Sequence, residues 1–161
     1  MTMELVLLRH GKAEDPALRA SDFERELTEE GRETVKEMAK GLRLLLPGKP
    51  VIWTSPLPRA LQTAELVAKA VKAKELREHD AIPAGDLDIL ARDWRGLEPA
   101  PKVLVLVGHQ PHLGSWVSRL TGALLPIKTA AAAAIALDEE GELRGALRWY
   151  ADPKAMARLG A

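Results

Sequence analysis

Leu5-Val6-Leu7-Leu8 follows Glu4 as an apolar run without polar alternation, the pattern of a short strand buried on both faces, and it breaks at Arg9-His10-Gly11. Val35, Met38, Ala39, Leu42, Leu45 and Leu46 then recur at helical spacing, with Thr28 placed as N-cap and Pro47-Gly48 as the stop. This predicts an amphipathic crossover helix. Val51-Ile52-Trp53 reads as a second strand. After Thr54-Ser55-Pro56 comes a helix with Leu61, Ala64, Val67, Ala68 and Val71 on one side, and Pro58 suits its first turn, where a missing N–H costs nothing.

Val103 to Val107 is the clearest strand, running into Gly108-His109-Gln110-Pro111, and Leu113, Trp116, Val117 and Leu120 predict the helix behind it. Near the C-terminus, Ala131 to Leu137 and Leu143 to Tyr150 flank Asp138-Glu139-Glu140-Gly141, which reads as a hairpin turn. The alanines 130 to 134 would suit a helix by propensity, but they lead into Ile135 and Leu137 before a turn and are read as strand. Asp152-Pro153 marks the start of a terminal helix. Arg77 to Pro101, broken by Pro83, Gly85, Gly96 and Pro99, reads as an irregular excursion with a short helix around Leu87 to Trp94. Strands alternating with helices are the signature of βαβ units on a mostly parallel sheet, here a three-layer α/β/α sandwich.

A chain of 161 residues suits one domain spanning 1–161. Twenty-three Lys and Arg balance twenty-three Asp and Glu, which argues against nucleic-acid and anionic-membrane binding, since both need an excess of positive charge. The absence of cysteine removes disulfides, thiol catalysis and Cys-based metal sites. Met1 to Leu8 is too short for a span or a signal segment, so a cytoplasmic protein is expected. Asn is absent and Gln occurs twice, a composition common in thermophiles.

In open α/β sheets ligands bind beyond the carboxyl ends of the strands. Three of these strands end in unusual polar residues: Arg9-His10-Gly11, Ser55 to Arg59, and Gly108-His109. Singly, each has an ordinary reading as a packed histidine or a surface ion pair. Jointly, two His and two Arg make a pocket for a dianionic group such as a phosphoryl, because guanidinium forks match its oxygens and a neutral imidazole can donate to it or attack phosphorus. No Gly-rich phosphate loop is present, so ATP is not implied. His109 and His112 have the spacing of a metal pair but lack a supporting carboxylate motif. His79 reads as surface, and Trp53, Trp94, Trp116 and Trp149 as core or rim.

At these residues the chain resembles the histidine phosphatase superfamily, the phosphoglycerate mutase-like proteins, whose hallmark is Arg-His-Gly after the first strand. It is most similar to the small SixA-type phosphohistidine phosphatases. Ser21 to Gly31, Ser55 to Thr63, and Gly108 to Gly114 carry that closer likeness. The resemblance implies that His10 is the nucleophile, that Arg9, Arg59 and His109 hold the phosphoryl oxygens, and that Gly11 and Arg25 belong to the same phosphate-binding pocket. Larger members use a carboxylic acid to protonate the leaving group, and Asp80 stands at the corresponding place. No metal or cofactor is called for, since guanidinium groups would neutralise the oxygens. The expected partner is a phosphorylated protein such as a histidine phosphotransfer domain, met by a monomer. Two alternatives are a phosphatase of a small phosphomonoester (sugar phosphate, nucleotide or phosphoglycerate) and a non-catalytic module that binds phosphorylated partners.

Overall fold

The computed structural model describes residues 2–138 and 140–161. Six strands, β1 (Thr2–Arg9), β2 (Val51–Thr54), β3 (Glu75–Glu78), β4 (Val103–Gly108), β5 (Ala132–Asp138) and β6 (Gly145–Ala151), form one sheet in the order β3-β2-β4-β1-β5-β6. The first four strands in that order are parallel; β5 runs antiparallel to β1, and β6 to β5. Helices α1 (Glu29–Leu45), α2 (Pro58–Val71) and α6 (Pro153–Gly160) cover one face. On the other lie α3 (Ala81–Ala84), α4 (Leu87–Arg95) and α5 (His112–Thr121), completing three layers.

The central strands bury both faces, which is why β1 and β4 read as continuous apolar runs. Leu5 and Leu7 join the core under α4 and α5, whereas Val6 and Leu8 join that under α1 and α2. The alanine run is strand, as expected, and Ala131 to Ala134 divide between the two cores in the same alternation. Thr28 caps α1 by accepting from the Gly31 amide at 2.9 Å, Glu29 and Glu30 occupy its first turn, and Arg43 its last, all favourable to the helix dipole. Asp152 caps α6 in the same way, ahead of Pro153.

Two expectations need correction. Arg77 to Pro101 is not wholly irregular: its first residues complete β3, an edge strand paired with β2 alone, and α3 precedes the expected α4. His79 is not a surface residue but a largely buried one, with Nδ1 accepting from the Ala81 amide at 3.1 Å and Nε2–H directed at Asp93 at 2.7 Å. Of the hairpin turn Asp138 to Gly141, Glu139 lies outside the described residues. Trp53, Trp94 and Trp116 are core residues, and Trp149 is partly buried.

Candidate active site

β1 and β4 are parallel neighbours with Arg9 opposite Gly108, so His10 and His109 leave the sheet side by side. The His10 amide donates to the Gly108 carbonyl at 3.1 Å, and the two imidazole centroids lie 5.3 Å apart. Beyond this point the chain after β1 turns to α1 on one face, while that after β4 turns to α5 on the other. The crevice between them is where such sheets accept ligands. β2 ends in step with β4, Thr54 opposite Val107, which delivers Ser55 and the first turn of α2, with Arg59, to the same level.

His10 Nδ1 lies 2.7 Å from the Gly11 carbonyl oxygen. A carbonyl only accepts, so Nδ1 carries the proton and Nε2 keeps a free lone pair. Burial pushes the His10 pKa down to about 4; the Gly11 carbonyl opposes this, and the charges of Arg59, Arg9 and Arg25 add to it. The ring is therefore neutral above that value. The backbone around it is held by close packing. Thr63 Oγ1 accepts from the Gly11 amide at 3.0 Å and donates to the Arg59 carbonyl at 2.8 Å. A Cβ on Gly11 would come within 2.7 Å of Val35 Cγ2, and one on Gly31 would collide with the Lys12 carbonyl, so both glycines let the loop lie against α1.

Arg9 gives one terminal N–H to the Ile127 carbonyl at 3.0 Å, while its Nε is buried without a protein partner. Arg59 reaches the Asp22 carbonyl at 2.9 Å and the Asp22 carboxylate at 3.2 Å, and its Nε is likewise buried and unpartnered. Arg25 donates to the Glu14 carbonyl at 2.7 Å and to the other Asp22 oxygen at 3.0 Å. His109 Nε2 meets Ser55 Oγ at 2.8 Å, and Ser55 Oγ also accepts from the Leu57 amide at 3.2 Å. Since the Leu57 N–H is a donor, Nε2 is the acceptor open to the Ser55 hydroxyl, and with the hydroxyl donating there the His109 proton sits on Nδ1, again buried and unpartnered. Burial, then the charges of His10, Arg59 and His112, push His109 down to about 3 against the pull of Asp22. Burial also disfavours the charges on Arg9 and Arg59. An anion beside these guanidinium groups would offset cations already held out of water.

Arg9, His10, Gly11, Arg25, Arg59 and His109 thus share one end of the sheet. The Asp80 side chain makes no hydrogen bond or ion pair among the described residues: it is exposed, between the carboxyl end of β3 and the start of α3. His112 stacks on Trp116 with ring centroids 6.3 Å apart and fills the space beside Gly85, whose φ of +74° and missing Cβ allow the approach. It is a packing residue. No group of three His, Asp or Glu among the described residues could hold a metal ion. Asp22, Ser55 and Thr63 bind the site together, yet nothing in their local pattern singled them out individually. Each acts on a residue remote in sequence.

A model of the histidine phosphatase superfamily (branch 1) matches residues 5–100. An uncharacterised protein of a Picosynechococcus species is 41% identical over 138 residues, covering 80% of this chain and 81% of that one. Among solved structures, the protein histidine phosphatase SixA complexed with tungstate superposes with a TM-score of 0.81 at 28% identity, over 94% of this chain and 98% of that one. A mycobacterial glucosyl-3-phosphoglycerate phosphatase with inorganic phosphate shares the fold, with a TM-score of 0.69 at 18% identity over 94% and 99% of the two chains. No helix among the described residues is long and apolar enough to cross a membrane.

Proposed function

Because the chain belongs to the histidine phosphatase superfamily, we propose that it is a phosphatase whose substrate is phosphohistidine carried on a protein. His10 Nε2 attacks phosphorus as the bond from phosphorus to the departing imidazole nitrogen breaks. The departing imidazole takes a proton from solvent. Water then attacks the phosphoryl on His10, releasing orthophosphate and restoring the neutral ring. Arg9, Arg59 and His109 stabilise charge on the three equatorial oxygens through groups already in place, the form of stabilisation that dominates phosphoryl transfer.

The substrate choice rests on the carboxylates. Expelling an alkoxide needs a proton from a positioned acid. Asp80 is exposed and no hydrogen bond or ion pair among the described residues holds it in place as an acid, and Asp22 is held below the usual carboxylate range by its hydrogen bond to Arg25 and the nearby Arg59 charge, so it stays ionised. An imidazole, with a conjugate-acid pKa of about 6.5, leaves readily with solvent as proton source. This pairing supports phosphohistidine over phosphomonoesters.

The test is a phosphorylated histidine phosphotransfer domain bearing labelled phosphoryl, incubated with the wild type and with His10→Ala and quenched in alkali. Acid-labile label is expected on the wild type only, with orthophosphate released by the wild type only. Turnover or label with His10→Ala would refute the mechanism.

A further inference from the structure

Arg59 is the most deeply buried of the site's cations that bear an ion pair, with a side chain 8% exposed against 21% for Arg25 and 57% for Asp22. The Asp22 carboxylate therefore sits at the solvent edge of this pair, one oxygen on each guanidinium, 3.0 Å from Arg25 and 3.2 Å from Arg59. It does not swing freely. The Asp22 carbonyl is bound by Arg59 at 2.9 Å, and Ser21 Oγ caps the single 3-10 turn Asp22–Glu24 by accepting from the Phe23 amide at 3.2 Å. Glu14 and Glu26, which flank this loop, are already paired with Arg19.

The consequence is a divided charge pattern. Away from solvent, Arg59 Nε, Arg9 Nε and His109 Nδ1 are buried without protein partners, and the guanidinium charges of Arg59 and Arg9 both act on His10. On the outer side, Asp22 has taken two of the Arg59 donor positions and one of Arg25, and adds a negative charge of its own. We propose that Asp22 determines the substrate class: it admits one phosphoryl group and disfavours molecules with a second anionic group beside it, such as a carboxylate or a further phosphate. A phosphohistidine on a protein passes this filter, because its imidazole body is uncharged near the phosphorus. The inference rests on the reading of Arg59 as a phosphoryl ligand.

Two phosphomonoesters that differ in this respect provide the test. Glycerol 3-phosphate and 3-phosphoglycerate present the same phosphoryl, but only the second adds a carboxylate. Calorimetric binding of each to the full chain and to Asp22→Asn is expected to show relative affinity for 3-phosphoglycerate rising about tenfold in the variant, the scale of one partly screened charge at several ångströms. Asp22→Glu should keep the wild-type preference. An unchanged or falling ratio overturns the proposal, including the case in which both affinities drop together because Asp22 merely positions Arg59. If neither ligand binds either protein, the phosphoryl pocket fails as well. If both bind and the ratio shifts but no phosphorylated substrate is hydrolysed, the filter stands and only the phosphatase reading falls.

Discussion

The hydroxyl of Thr63 accepts a hydrogen bond from the Gly11 amide at 3.0 Å, across 52 positions of sequence, and donates one to the Arg59 carbonyl at 2.8 Å. One fully buried side chain thus fixes the loop that carries His10 to the helix turn that carries Arg59. Their relative placement depends on a group that touches no substrate.

Thr63→Val should expose this dependence. It keeps the shape and removes the donor and acceptor, leaving the Gly11 amide buried without a partner, a cost of about 1–3 kcal/mol. Thermal unfolding should show the loss. Turnover of an aryl phosphate is expected to fall about tenfold or more from misalignment, and Thr63→Ser should restore most of both. Full activity in Thr63→Val would show that Thr63 does not position the site.

Arg59→Lys replaces a fork with a point charge. Its single ammonium cannot hold the Asp22 carbonyl and carboxylate while also facing an oxyanion. Calorimetric binding of phosphate or vanadate should weaken by about tenfold or more, since each 1.4 kcal/mol lost is tenfold in affinity. Equal affinity for the two proteins would remove Arg59 from the pocket.

Acidity should act through His10 and His109, held near 4 and 3 against an ordinary value of 6.5. Below pH 6.5 the unfolded chain takes up protons at these two rings that the folded chain refuses. Stability therefore falls as pH drops from about 6.5 towards 4, and the slope should shrink in a His10→Ala, His109→Ala double variant. Above that window both rings are neutral in either state and contribute nothing to the slope. In NMR titrations of the folded protein, bound phosphate should move the His10 titration upward, since an anion favours the charged ring. A His10 ring that titrates near 6.5 without phosphate would contradict the burial described here.

Asp80→Asn should leave kcat/KM on phosphohistidine essentially unchanged, because an imidazole leaving group draws its proton from solvent and needs no positioned acid. A fall of 10²-fold, at the low end of general acid catalysis, would place Asp80 in the reaction.

The sequence revealed the parts of this fold that follow strong periodicity, and missed those that do not. β1 and β4 announce themselves because both faces are buried, and Thr28, Pro58 and Asp152 mark helix starts by chemistry that needs no tertiary partner. β3, Glu-Leu-Arg-Glu, lies at the sheet edge with most of its side chains exposed, so it lacks the apolar run that marks a strand. Charge on an edge is a protection against further pairing, and it erases the signal that would have located the strand. The histidines and arginines of the site were legible because they follow recognisable strands or fall in segments that carry a family likeness. Asp22 and Thr63 were not, since an aspartate in a capping turn and a threonine in a helix look ordinary until the residues they bind, 37 and 52 positions away, are brought beside them.

The strand order carries a consequence for how the protein comes into being. β1 is made first, yet its neighbours in the sheet are β4 and β5, from the far half of the chain. A nascent polypeptide that has just emerged past residue 102 would hold His10, Arg25 and Arg59 but neither strand that flanks β1, and nothing to set against His10 where His109 belongs. The reactive end of the sheet is thus assembled late in synthesis, and fragments released early should be inert and aggregation-prone, with the apolar edges of β1 unpaired.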